Sequence, residues 1–270
     1  MSAPQAPRRR REKRSRNAPA IAAVASQSEN IRVACRIRPP SAREQAEATS
    51  LGLERCVLTP EGSDERSVIQ VGKAQFTFDY IAGEASTQEE LFEVVGRPMA
   101  QAVMHGYNGT VLAYGQTGSG KTHTLFGADG NKDASQGRGV VPRCLEFIFG
   151  ALEAMSRESA PADEFKSLCK CTFTEIYNER VYDLLDSGCP MVTVREDLKR
   201  GVFIDGLTEE TVAAPAEATR VLGVGFRNRH VSATAMNHQS SRSHAIFTLR
   251  VATSVTHGST GVSTVKQAQL

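Results

Sequence analysis

Residues 115–122 read GQTGSGKT, and that octapeptide leaves few architectures open. It matches GxxxxGK[ST], a pattern that arises by chance in roughly one chain in a hundred of this length. The match follows GTVLAY at 109–114, an apolar run of strand length, and precedes a stretch of helical composition. In that arrangement backbone N–H groups and a helix N-terminus converge on an anion. Gly115, Gly118 and Gly120 let the chain curl and bring bare backbone against phosphate oxygens. Gln116, Thr117 and Ser119 complete the cradle, Lys121 reaches toward the β- and γ-phosphates, and the Thr122 hydroxyl is a ligand for Mg²⁺. A nucleoside triphosphate site is expected, but not yet a reaction, because kinases, GTPases, helicases and motors share such a loop.

The chain has 270 residues, 40% of them hydrophobic, enough for one large α/β domain. No run of eighteen apolar residues is present, so no membrane insertion is expected. Its net charge of +2 is unevenly placed. Residues 1–30 hold seven Arg or Lys against two Glu, a net +5, so the remaining 25 basic and 28 acidic residues leave −3. Residues 1–30, rich in Ala, Pro, Ser and Arg, are expected to be a disordered basic tail, and the domain to occupy 31–270. The six cysteines show no CxxC spacing and read as reduced thiols, with Cys169 and Cys171 on one face of a strand.

Strands are expected at 31–37, 55–58, 67–71, 75–79, 109–114, 169–177, 192–194, 202–204 and 244–255. A capping box at Thr87 and Glu90 opens a helix that Pro98 should kink or end. Pro142 suits the first turn of a second helix with Leu145, Ile148, Phe149 and Leu152 inward, and 216–227 reads as a third, weakened by Gly223 and Gly225. Strands interleaved with helices indicate an α/β fold: a P-loop NTPase with a central sheet and helices on both faces.

NHQSSRSH at 237–244 narrows the reaction. Together with GQTGSGKT, RIRPP at 36–40, FTFD at 76–79, YNGTVLAYGQTGSGKTHTL at 107–125 and FTEIYNERVYDLL at 173–185, all in the same order, it resembles the kinesin motor domain over about residues 31–270. KRGVFIDGLTEE at 199–210 and RNRHVSATAMN at 227–237 most resemble the twelfth kinesin subgroup. The resemblance implies ATP and Mg²⁺ as ligands. It puts Arg36, Pro39 and His123 around the adenine, and gives Asn237, Ser240 and Ser241 to the γ-phosphate, the attacking water and Mg²⁺, with Ser241 and Thr122 as metal ligands. Lys121 and Arg242 complete the implied catalytic set. Glu175 and Glu179, in the EIYNE stretch, are expected to serve packing and a polar network rather than chemistry.

The family's second switch, DLAGSE, has no counterpart, and the chain ends in VKQAQL. The domain is therefore expected to be C-terminally incomplete, leaving the edges of two central strands uncovered. The resemblance implies an ATP-dependent microtubule motor in the cytoplasm, on microtubules or the spindle, with oligomers formed only through segments outside these residues. The alternatives are a catalytically silent nucleotide- or tubulin-binding fragment, and a nucleic-acid motor. The last is disfavoured by the −3 body and the lack of an aromatic-and-basic groove pattern.

Overall fold

A 14-residue strand, Glu164–Tyr177, organises the molecule. In the computed structural model, which describes residues 31–51, 57–58, 67–127, 137–160, 162–188, 190–198, 201–235 and 243–270, the described residues from Ala34 to Leu270 belong to one compact unit. The expected basic tail, residues 1–30, lies outside the described residues. In chain order the strands are β1 (Ala34–Arg36), β2 (Val57–Leu58), β3 (Val68–Val71), β4 (Ala74–Thr77), β5 (Tyr80–Ala82), β6 (Glu164–Tyr177), β7 (Arg180–Asp183), β8 (Met191–Asp197), β9 (Gly201–Asp205), β10 (Glu210–Val212), β11 (His244–Thr256) and β12 (Ser263–Gln269). The helices are α1 (Ala42–Ser50), α2 (Gln88–Leu91), α3 (Arg97–Met104), α4 (Lys121–Phe126), α5 (Val140–Glu158) and α6 (Pro215–Ala235).

The large sheet runs β12-β11-β6-β7-β8-β9, with β10 also paired to β6. Its pairs are antiparallel, whereas β1 and β5 pair in parallel in a separate two-stranded sheet. Strand periodicity places Cys169, Cys171 and Phe173 on one face of β6, and they pair with Val251, Leu249 and Phe247 of β11. This face is the core. Against it lie α5, through Leu145, Ile148, Phe149 and Leu152 as the 3.6-residue spacing requires, and α6, through Ala218, Val221 and Leu222.

α6 is longer than expected, and its two glycines do not break it. A Cβ on Gly225 would fall 2.1 Å from Cδ1 of Phe173, so the missing side chain is what lets the helix backbone approach the sheet. On the other face of β6, Lys170 stands directly opposite Arg250. Like charges across a ladder repel, but Glu209 accepts hydrogen bonds from both, at 2.8 and 2.7 Å. The Lys170 ammonium, aided by Arg250, holds the Glu209 carboxyl below its ordinary range.

Pro98 does not end its helix. α2 passes through a π turn (Phe92–Gly96) into α3, and the Arg97 N–H reaches back five residues to the Phe92 carbonyl. Widening the helix just before the proline relieves the clash of its ring with the preceding turn. Gly96 is needed there, since a Cβ would lie 2.6 Å from the Phe92 ring and 3.0 Å from Val140.

The run 109–114 departs from its expected strand. It alternates half-buried with exposed residues, yet its ladder stops where it starts. Gly109 N–H donates to the Gln269 carbonyl at 2.9 Å, and Gln269 N–H donates to Oδ1 of Asn108 at 3.0 Å. Leu112 is 81% and Tyr114 96% exposed. A strand is defined by its neighbours as much as by its own residues, and among the described residues none continues this ladder.

Candidate functional site

The phosphate loop is built by backbone conformations that only glycine adopts freely. Gly115, Gly118 and Gly120 have φ of +155°, +81° and +97°, and Gly120 serves as the left-handed N-cap of α4. A Cβ on Gly115 would fall 2.6 Å from Oγ of Ser119, and Ser119 N–H closes the turn on the Gln116 carbonyl at 3.2 Å. Lys121 spans the loop, its Nζ donating to the carbonyls of Gly115 at 2.7 Å and Gln116 at 2.9 Å. An ammonium held over the mouth of a glycine cradle, with the Thr122 side chain exposed beside it, fits a polyphosphate and its cation.

Behind the loop, one polar network joins three elements. Arg36 at the end of β1 donates through Nη1 to Oε1 of Gln88 at 2.8 Å and to Oγ1 of Thr124 at 2.9 Å. Gln88 Nε2 donates to the His123 carbonyl at 2.7 Å and lies 3.4 Å from His123 Nδ1. Burial, together with the Arg36 charge, pushes the His123 imidazole below its ordinary titration point, and burial likewise lowers Arg36. Arg36 and His123, expected near the base, are thus brought together, with His123 facing outward. Pro39 stands exposed between β1 and α1.

Two participants escaped the sequence reading. Gln88 gave no sign beyond following a capping box. Arg38 lies close to the loop, its Cδ 3.8 Å from where a Gly120 Cβ would stand, and is paired to Glu44 at 2.6 Å. Glu44 also closes the capping box with Ser41 at the start of α1, an S-x-x-E signal present in the sequence.

Asn237, Ser240, Ser241 and Arg242 lie outside the described residues. Their immediate neighbour Ser243 is anchored: its Oγ donates to Oε1 of Glu175 at 2.5 Å, the same oxygen that accepts from Nε of Arg229 at 2.9 Å. Glu175 therefore belongs to a polar network, as its position in EIYNE suggests. Glu179 instead occupies a turn with Asn178, both at positive φ, +62° and +48°.

The model of the kinesin motor domain matches residues 36–270. The chain belongs to the kinesin motor domain family. Among its kinesin relatives, it is 42% identical over 227 residues to the kinesin-like protein KIF15 of Rattus norvegicus, covering 84% of this chain and 16% of that protein. It is 41% identical over 251 residues to KIF15 of Strongylocentrotus purpuratus, covering 91% of this chain and 16% of that one. It is also 42% identical over 221 residues, 81% of this chain and 11% of the other, to the kinesin-like protein KIN-12E of Oryza sativa subsp. japonica. These likenesses bear out the resemblance to the twelfth kinesin subgroup. A solved structure of a fast kinesin, described with implications for ATPase mechanism and interactions with microtubules, superposes with a TM-score of 0.76 at 34% identity, covering 89% of this chain and 63% of that one. The kinesin fold, α/β and of the P-loop NTPase type, is thereby shown, and the chain spans only a minor part of the length of its curated relatives. Among the described residues no helix is long and apolar enough to cross a membrane.

Proposed function

We propose that this chain is the nucleotide-binding portion of an ATP-dependent microtubule motor. The glycine cradle spanned by Lys121 carries the reading: Nζ lies 2.7 Å from the Gly115 carbonyl and 2.9 Å from that of Gln116, bonds it can exchange for phosphate oxygens. Gly115, Gly118 and Gly120 turn the backbone so that N–H groups line the cradle, with Gln116, Thr117 and Ser119 as its rim. Thr122, with Ser241, would hold Mg²⁺, which neutralises charge on the phosphates when bound. Arg36, Pro39 and His123 would take the base. Asn237, Ser240, Ser241 and Arg242 would close on the γ-phosphate and the attacking water. Catalysis of this kind rests on positioning and charge stabilisation rather than on a strong general base. The partner would be the microtubule, and the site of action the microtubule cytoskeleton, including the spindle.

The test is ATP turnover by the 270-residue chain with and without microtubules, beside Lys121→Ala. Microtubule-stimulated turnover that falls by at least about a hundredfold in the variant, the scale seen when a donor to developing charge is removed, would support the motor reading and overturn the expectation of an incomplete domain. A second reading, a nucleotide- or tubulin-binding fragment without turnover, draws support from the exposed Leu112 and Tyr114, which leave the segment feeding the loop poorly braced. Binding of ATP and microtubules with no turnover under any condition would favour it.

A further inference from the structure

We propose that Gln88 is a positioning residue for the nucleotide base, holding Arg36 and His123 in the geometry with which they flank it. The inference rests on the reading of residues 115–122 as a triphosphate site with its base toward His123.

Gln88 is only 5% exposed, and a buried amide is tolerated when both halves are satisfied. Here both are, and in one orientation only. Arg36 can only donate, so it fixes Oε1, and the His123 carbonyl can only accept, so it fixes Nε2. The amide has no alternative flip, and its two ends grip different elements. One end holds the guanidinium that closes β1, which also caps Thr124 Oγ1. The other holds the carbonyl of His123, which also accepts the Gly127 N–H at 2.9 Å at the end of α4. The capping box of Thr87 and Glu90 sets Gln88 as the first residue of α2 and so fixes its direction. The donor 3.4 Å from Nδ1 favours the tautomer protonated at Nε2. His123 keeps its backbone tied and its ring exposed, so the face offered to a base is set from behind by a residue that does not touch the base.

A scaffold for the loop would use the same bonds, so the experiment separates base from phosphate. Binding of ATP and of inorganic tripolyphosphate to the 270-residue chain is measured by calorimetry for wild type and Gln88→Ala. The expected result is ATP affinity about tenfold weaker in Gln88→Ala, within the range that stacking on a base supplies, with tripolyphosphate changed less than about twofold. Equal losses for both ligands, or no loss, would overturn the inference. In the second arm the ring-nitrogen chemical shifts of His123 in the nucleotide-free chain are recorded by NMR at about pH 9, where an imidazole is neutral, in wild type and Gln88→Ala. Wild type should show the tautomer protonated at Nε2 and the variant a mixture of the two, and identical shifts would overturn the contact itself. If wild type binds ATP no more tightly than tripolyphosphate while the ring shifts differ, the base-site reading fails, and the role proposed for Gln88 with it, although the contact stands.

Discussion

Gly225 shows what a single residue can hide. Read along the chain it weakens a helix, but in the fold it is the point where α6 meets the fully buried ring of Phe173. Gly225→Ala should destabilise the chain by about 1–3 kcal/mol through overpacking, despite alanine's better helix propensity, and a urea titration measures it. Gln88 was illegible for the same reason: its partners lie 52 and 35 residues away. The phosphate loop was legible because its chemistry is local, carried by consecutive residues whose conformations glycine alone permits. Among the described residues, three of the cysteines expected to be reduced thiols are buried. Burial pushes the thiols of Cys144 and Cys171 up to about 12 and that of Cys169 to about 11. Iodoacetamide at pH 8 should leave these three unmodified in the folded chain and label them in denaturant, as peptide mass spectrometry would show.

Among elements, the long periodic ones were readable and the short connections were not. The inward face of α5 follows from its spacing alone, whereas β7 was missed because the turn before it lacks the usual glycine. Tyr177 pairs with Arg180 across a two-residue loop whose residues both take positive φ, the conformation for which Asn-Gly is best suited. Glu179→Gly should therefore stabilise the hairpin by about 0.5–1 kcal/mol, after the added freedom of the unfolded chain is discounted. Thermal unfolding would record it. At the π turn, Arg97 pairs with Glu93 at 2.6 Å and lies over the rings of Phe92 and Phe147 at 5.3 and 5.1 Å. Its hydrogen bond holds the Glu93 carboxyl below the ordinary carboxylate range. That stabilisation is fully present above the unfolded carboxylate's titration point and is lost as pH falls through the lowered folded one. Wild type should exceed Glu93→Gln by no more than about 1 kcal/mol at neutral pH, both side chains being partly solvated, and the two should converge as pH falls through the lowered titration point of the folded carboxyl.

Across the whole molecule, stability is concentrated where β6 and β11 pair along thirteen registered positions, His244↔Ile176 to Thr256↔Glu164, and thins toward the segment that feeds the phosphate loop. Amides of 110–114 should exchange with solvent within seconds to minutes, while those of Cys169, Cys171 and Phe173 exchange only through global opening. Hydrogen-exchange mass spectrometry would separate the two classes, and comparable protection of both would contradict this distribution. The apolar run at 109–114 signalled a buried strand, and its composition was read correctly, but burial also depends on neighbours that no local pattern reports. On the other side of the loop the bracing is strong. Phe126, at the end of α4, meets Phe226 edge-on at 4.7 Å, Phe226 meets Phe173 at 5.3 Å, and Phe173 meets Phe247 at 5.7 Å, each pair close to perpendicular. Perpendicular rings in a dense interior cannot slide past one another without opening a void. The four rings therefore form a continuous aromatic chain that ties the helix following the phosphates to the central sheet.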